Sequence, residues 1–171
     1  MSAIVLREAR ADELDAVGET MVAAYEEFSP PDPPPQWLHY LDDIRDVRRR
    51  LGDSTLIVAE DGGSIVGAVT YYPDGSKETA GGWPPSYAVF RLLAVHPAAR
   101  GRGIGRLLTE ECIRRARGAG AMAVGLHTTM LMNVARAMYE RMGFVRAPEL
   151  DFFPVPEFRV MGYRLPLEQA R

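Results

Sequence analysis

Three arginines and three glycines are packed into Arg100-Gly101-Arg102-Gly103-Ile104-Gly105-Arg106. The segment stands between an apolar, strand-like run (Tyr87 to Val95) and an amphipathic, helix-like run from Ile104 to about Arg117. Glycines let a ligand approach the backbone closely. A helix that begins there directs unpaired N–H groups and the positive end of its dipole at that ligand. The chemistry this suits is the binding of a phosphate or pyrophosphate.

The spacing excludes two phosphate-binding loops. A dinucleotide fingerprint needs Gly-x-Gly-x-x-Gly, and position 106 is Arg. A P-loop needs Gly-x-x-x-x-Gly-Lys before Ser or Thr, and Lys77 is the only lysine. A third pattern, Arg/Gln-x-x-Gly-x-Gly/Ala, is satisfied by Arg100, Gly103 and Gly105. Together, Leu93-Ala94-Val95-His96-Pro97-Ala98-Ala99-Arg100-Gly101-Arg102-Gly103-Ile104-Gly105 and Asn133-Val134-Ala135-Arg136-Ala137-Met138-Tyr139-Glu140-Arg141-Met142-Gly143-Phe144 resemble the A and B motifs of the GNAT family of N-acetyltransferases. The resemblance is close from residue 87 to 145; residues 1 to 86 fit it through element order alone.

The resemblance implies a role for each of these positions. Backbone N–H groups of Gly101, Arg102, Gly103, Ile104, Gly105 and Arg106 would wrap the pyrophosphate of acetyl-CoA, with charge added by Arg100, Arg102 and Arg106. The main chain of Leu93, Ala94 and Val95 would pair with the pantetheine amides, which requires a local opening of the sheet, usually a bulge. Asn133, read as lying in the N-cap region of the last helix, would also hydrogen-bond the pantetheine arm. Tyr139 would be the general acid that protonates the departing CoA thiolate. The general base has no such pointer, since Ser86 to Val95 contains no acid and Arg91 is its only charge. Candidates are Glu60, Glu78, His127, Glu149 and Asp151. Among them His127 has the side chain that titrates nearest neutrality, and a satisfied structural histidine is the competing reading.

Around these positions the chain reads as β-α-α-β-β-β-α-β-α-β-β. A strand at Ala3 to Arg7 precedes a helix over 13–27, with Leu14, Val17, Met21 and Tyr25 on one face. The Pro-rich stretch Ser29 to Pro35 precedes a helix from Trp37 to Leu51. A hairpin turns at Asp61-Gly62-Gly63, and a Gly- and Pro-rich loop runs from Pro73 to Ser86. A strand at Met122 to Thr128, a helix from Asn133 to Met142 and strands from Phe144 and from Phe158 to Leu165 complete the order. Leu150 to Phe158 reads as an aromatic, acidic loop. With the resemblance, the expected fold is α/β: one domain over 1–171 with a mixed, mostly antiparallel sheet of about seven strands, splayed at its centre and flanked by about four helices.

Composition sets the remaining bounds. The 171 residues are 47% hydrophobic and 25% charged, ordinary for a globular domain. A net charge of −3, from 20 basic and 23 acidic residues, argues against nucleic acid as a partner. Cys112 is the only cysteine, so no intramolecular disulfide forms. No signal-peptide pattern or long apolar run is present. The expectation is therefore a cytoplasmic protein with no membrane span, no metal and acetyl-CoA as co-substrate. Its acceptor would be a small-molecule or peptide amine, met by an aromatic and acidic pocket drawn from Asp32, Trp37, Tyr40, Tyr71, Trp83, Asp151 and Glu157. The resemblance leaves a homodimer open. A non-catalytic acyl-CoA-binding sensor is the alternative, favoured by the acid-free strand and opposed by Tyr139.

Overall fold

A computed structural model describes residues 2–169. The strands are β1 (Val5–Glu8), β2 (Thr55–Asp61), β3 (Ser64–Tyr72), β4 (Tyr87–Val95), β5 (Ala123–Thr129), β6 (Val145–Arg146), β7 (Phe152–Val155) and β8 (Phe158–Pro166). The helices are α1 (Leu14–Tyr25), α2 (Pro35–Arg45), α3 (Ile104–Gly118) and α4 (Asn133–Arg141). The strands form one sheet in the order β1-β2-β3-β4-β5-β8-β6, with β7 paired to β8. β4 and β5 are parallel, whereas β1–β2, β5–β8, β6–β8 and β7–β8 are antiparallel. The architecture is the mixed, mostly antiparallel α/β fold expected, with one strand more. The additional strand is β7, inside the segment read as an aromatic loop; its Pro154 is tolerated because β7 has β8 alone as partner.

The chain forms two compact units, whose boundaries fall within β3, β4 and α3. The first comprises the residues up to Thr70 and Leu92–Glu111. Its core includes Val17, Met21, Ile44, Val47, Ile57, Val58, Val69, Ile104 and Leu108, all nearly inaccessible. Leu14, Val17, Met21 and Tyr25 are all buried, as helical spacing requires. Pro35 opens α2 at its first position, where a missing N–H costs nothing. This helix stops at Arg45, short of the expected Leu51, because Asp46 leaves helical geometry at ψ 73°. The buried Arg50 then donates to the Asp43 and Ile44 carbonyls, supplying partners to the end of α2.

The second unit comprises Tyr71–Arg91 and the residues from Cys112 on. β5 and β8 pair from Ala123↔Pro166 to Thr129↔Val160. Phe90, Tyr139 and Phe144 form an aromatic triangle, with ring centroids 5.7–6.2 Å apart. Parallel pairing of β4 with β5 covers Tyr87 to Val89 only. Three residues later Leu92 adopts φ 54°, the one positive φ outside glycine among the described residues. This is the irregularity expected of a strand that opens at the centre of its sheet.

Gly18 sets the distance between α1 and α2. A Cβ there would lie 2.3 Å from the Arg45 carbonyl oxygen. Replacing an interior helical glycine by alanine ordinarily stabilises by about 1 kcal/mol. Here the clash is with backbone and dominates, so Gly18→Ala should destabilise by about 1–3 kcal/mol. Thermal unfolding checks this: Tm should fall by about 2–4 °C per kcal/mol lost, and a raised Tm would contradict the packing.

Candidate active site

The glycine-rich loop belongs to the first unit. β4 ends where the His96 N–H donates to the Val66 carbonyl at 2.8 Å. His96 Nδ1 then accepts from the Ala98 N–H at 3.2 Å, capping the short turn Pro97–Ala99. Gly101 and Gly103 take φ 77° and 74°, left-handed values that an L side chain rarely adopts. A Cβ at either would meet nothing within 4 Å, so the ligand side of both glycines is open. The first bond of α3 runs from the Leu107 N–H to the Gly103 carbonyl at 3.0 Å. The N–H groups of Ile104, Gly105 and Arg106 are therefore left for acceptors outside the helix. Ile104 and Leu108 are buried and close on Gly67 of β3, where a Cβ would come within 3.0 Å of Ile104 and of the Ala94 carbonyl.

The three arginines are placed by acids of the same unit. Arg100 pairs with Glu27 at 2.5 Å and donates to the Ala24 carbonyl at 3.1 Å. Arg102 pairs with Asp61 at 2.7 Å, and Arg106 with Glu110 at 2.8 Å. The Ser2 hydroxyl and the Arg102 guanidinium hold the Asp61 carboxyl below its usual range. Such pairs are worth about 0–1 kcal/mol each, so they orient the arginines more than they stabilise the fold. Within β4, Ala94 is buried while Leu93 and Val95 are half-buried, and the Leu93 carbonyl accepts from the Tyr25 hydroxyl at 3.4 Å. The loop fits a pyrophosphate: its N–H groups are unspent, its glycines are open and its charge is held in place.

The second unit carries Asn133, Tyr139 and His127. Asn133 is exposed and is the first residue of α4; the N-cap is Met132, without a side-chain cap bond. Asn133 Oδ1 instead accepts from Arg136 at 3.1 Å, which departs from the capping role expected for it. Tyr139 is 5% exposed, and burial pushes its hydroxyl well above the ordinary tyrosine value, with Cys112 adding to the shift. His127 Nε2 lies 2.7 Å from the Leu150 carbonyl. A carbonyl only accepts, so Nε2 carries the hydrogen and Nδ1 keeps the lone pair. The ring packs against Trp83 at 4.7 Å and edge-to-face on Phe152 at 4.9 Å. Burial lowers the His127 pKa, against the Leu150 carbonyl, Glu78 and Asp151, which favour the protonated ring.

The other candidate acids have different surroundings. Glu60 is held by Arg7, and Glu149 by Arg164. Asp151 takes both Arg146 nitrogens at 2.8 and 2.7 Å, and the Gly162 N–H at 2.8 Å. Glu78 is 4% exposed in the loop before β4 and faces Arg91 at 3.5 Å. Trp83, from the same loop, lies over Gly125 of β5, where a Cβ would fall 2.5 Å from the indole. The aromatic residues expected to line the acceptor pocket come from both units. Trp37 and Tyr40 pack together at 5.7 Å in the first unit, while Trp83 packs against His127 in the second. The sequence signal for the Glu78–Trp83 group was the length of the Gly- and Pro-rich loop that carries both. Among the described residues no group of three or more His, Cys, Asp or Glu is arranged to hold a metal. None of the described helices is long and apolar enough to cross a membrane.

Residues 19–144 match the model of the Acetyltransferase (GNAT) family. An IAA acetyltransferase of Azospirillum brasilense is 34% identical over 105 residues. That match covers 61% of this chain and 63% of the relative, less than two thirds of the relative's length. The ribosomal-protein-S18-alanine N-acetyltransferase of Escherichia coli superposes with a TM-score of 0.69 at 16% identity, over 99% of this chain and 97% of that one. A GNAT family acetyltransferase of Brucella melitensis, solved in complex with acetyl-CoA, gives a TM-score of 0.61 at 21% identity, over 100% of this chain and 95% of that one. At these identities the solved structures share the fold.

Burial of Tyr139 and of Tyr71, whose hydroxyl is pushed up to about 12, has a consequence at high pH. Unfolded tyrosines ionise near pH 10. The folded state keeps protons that the unfolded state loses, so this contribution to stability is complete below about pH 10 and is lost as pH rises above it. In native protein at about pH 11, phenolate absorbance should fall short by at least these two of the seven tyrosines and recover on unfolding. All seven ionising together in the native state near pH 10 would contradict the burial.

Proposed function

We propose for this chain, which belongs to the Acetyltransferase (GNAT) family, the transfer of an acetyl group from acetyl-CoA to a primary amine of a small molecule or peptide. The observation that carries the proposal is the loop, where two left-handed glycines open onto the unspent N–H groups that begin α3. Hydrogen bonds from such groups to a charged pyrophosphate are worth about 1.5–3 kcal/mol each. Arg100, Arg102 and Arg106 add positive charge from fixed positions. The main chain of Leu93, Ala94 and Val95 receives the pantetheine arm as an added strand would be received. Asn133 is exposed at the start of α4 and offers its side-chain amide to the same arm.

Bound acetyl-CoA supplies the thioester carbon that the amine attacks; the C–N bond forms, the C–S bond breaks and no acyl-enzyme is needed. The Val95 N–H is proposed to polarise the thioester carbonyl. The proton released by the amine passes to His127 Nδ1, whose tautomer the Leu150 carbonyl fixes. Tyr139 gives its phenolic proton to the sulfur and regains one from solvent. Its raised pKa keeps that proton in place at neutral pH but makes the phenol a weaker acid. Its contribution therefore rests on position. The buried hydroxyl supports an enzyme over the sensor alternative, because a module that only binds acyl-CoA has no use for an acid.

Tyr139→Phe should lower turnover at least about tenfold, since a positioned acid contributes about 10²–10⁴-fold, while acetyl-CoA affinity holds. Rates of CoA release with an amine acceptor, together with calorimetric titration of acetyl-CoA, check this. Unchanged turnover would remove Tyr139 from the mechanism.

A further inference from the structure

Arg91 is the only charged residue of β4, and its side chain is 28% exposed. An arginine offers five N–H donors in a planar fork. Arg146 spends its fork on both oxygens of Asp151, at 2.8 and 2.7 Å. Arg91 has a single hydrogen-bond partner among the described residues, Glu78 Oε1, reached through one nitrogen at 3.5 Å. Charge-assisted bonds of this kind are ordinarily about 2.7–2.9 Å long, so most of the Arg91 donors are unspent. The sheet sets what they stand beside. β4 and β5 pair in parallel as far as Val89 and Gly125, and Arg91 and His127 each lie two residues beyond that last pair. Strand alternation puts Arg91 on the face of Val89 and His127 on the face of Gly125. The positive φ of β4 comes only at Leu92, after Arg91. Both faces are the same one, because Trp83 packs with Val89, lies over Gly125 and meets the His127 ring at 4.7 Å. The guanidinium and the imidazole thus stand on one face of the sheet, on neighbouring strands whose pairing has just ended. His127 Nδ1 keeps its lone pair there, since Nε2 is taken by the Leu150 carbonyl.

We infer that Arg91 binds a carboxylate carried by the acceptor, so that the acceptors of this protein are amino carboxylates, free amino acids foremost. The inference rests on the acetyl-transfer reading and on His127 as its proton acceptor. A carboxylate matches the guanidinium fork in both shape and charge. Paired strands lie about 4.8 Å apart, and a single carbon joins the carboxylate of an α-amino acid to its amine. A molecule held by its carboxylate at Arg91 therefore keeps its nitrogen on the side of His127 Nδ1. A zwitterion also brings one charge of each sign. It leaves the net charge beside the Arg91–Glu78 pair unchanged, which a simple amine or a simple carboxylate would not. Arg91 is thereby a substrate-binding residue that selects acceptors by their carboxylate.

The test uses the full chain with acetyl-CoA and three acceptor pairs: alanine, leucine and phenylalanine, each with its amide. Spermidine and phenethylamine serve as amines without a carboxylate. The amide removes the charge of the carboxylate, and its amine is the less basic, so a preference for the acid cannot come from easier loss of the amine proton. The unaltered protein should favour the acid of its best pair at least about tenfold in kcat/KM. Arg91→Lys keeps the charge and loses the fork, whereas Arg91→Met loses both. The preference should shrink in the Lys variant and vanish in the Met variant, through a raised KM for the acid. An arginine that only supports Glu78 and the strand would lower acid and amide alike, so the ratio separates binding from structure. The Lys variant carries the test if the Met variant does not fold. An amide used as well as its acid, or a preference kept in full by the variants, would overturn the assignment. Activity confined to spermidine or phenethylamine would overturn it too and leave acetyl transfer standing. Bound acetyl-CoA with no amine acetylated would overturn both.

Discussion

A leucine held at φ 54° is the constraint on which the rest of the structure depends. A left-handed backbone costs a residue other than glycine about 1–2 kcal/mol. Leu92 is 5% exposed, and burying a leucine side chain contributes about 1.5–3 kcal/mol, enough to offset the strain. The irregularity is thus held by packing. On its N-terminal side β4 pairs with β5 from Tyr87 to Val89. On its C-terminal side the strand runs on to His96, whose N–H is anchored on Val66. That anchor fixes where the glycine-rich loop begins.

From there the arrangement is set by what each residue cannot do. Gly101 and Gly103 cannot be replaced by an L residue without strain, because both have positive φ. Gly67 cannot carry a side chain without disturbing Ile104, Leu108 and the Ala94 carbonyl, so its bareness seats the first turn of α3 against β3. The arginines of the loop each have an acidic partner, Glu27, Asp61 and Glu110, which orients them. In the second unit Gly125 plays a similar part, leaving the space that Trp83 occupies beside His127.

Much of this was legible in the sequence where local rules dominate. The glycine spacing, the strand before it and the helix after it follow from short-range geometry, and β4 lies at Tyr87–Val95 as read. The apolar spacing of α1 likewise located its buried face. Other features depend on contacts distant in sequence. β7 contains Pro154 and lacks alternation, and it is a strand only because β8 folds back onto it. The end of α2 is set by Asp46 leaving helical geometry and by Arg50 returning to the helix carbonyls, which no periodicity announces. Asn133 lies one residue inside the helix rather than at its cap, a boundary shift of ordinary size. Glu78 is one of four acidic candidates set behind His127, and residue type gives no order among the four. Its burial and its poor pairing are set by how the Pro73–Ser86 loop folds, and residue type does not encode them.

The central claim is that backbone N–H groups of the loop hold the pyrophosphate, and amide NMR of the ¹⁵N-labelled protein tests it most directly. During titration with CoA, the amide resonances of Gly101, Gly103 and Gly105 should move and reach their end point as the protein saturates. CoA that binds by calorimetry while these three resonances stay in place would contradict the account.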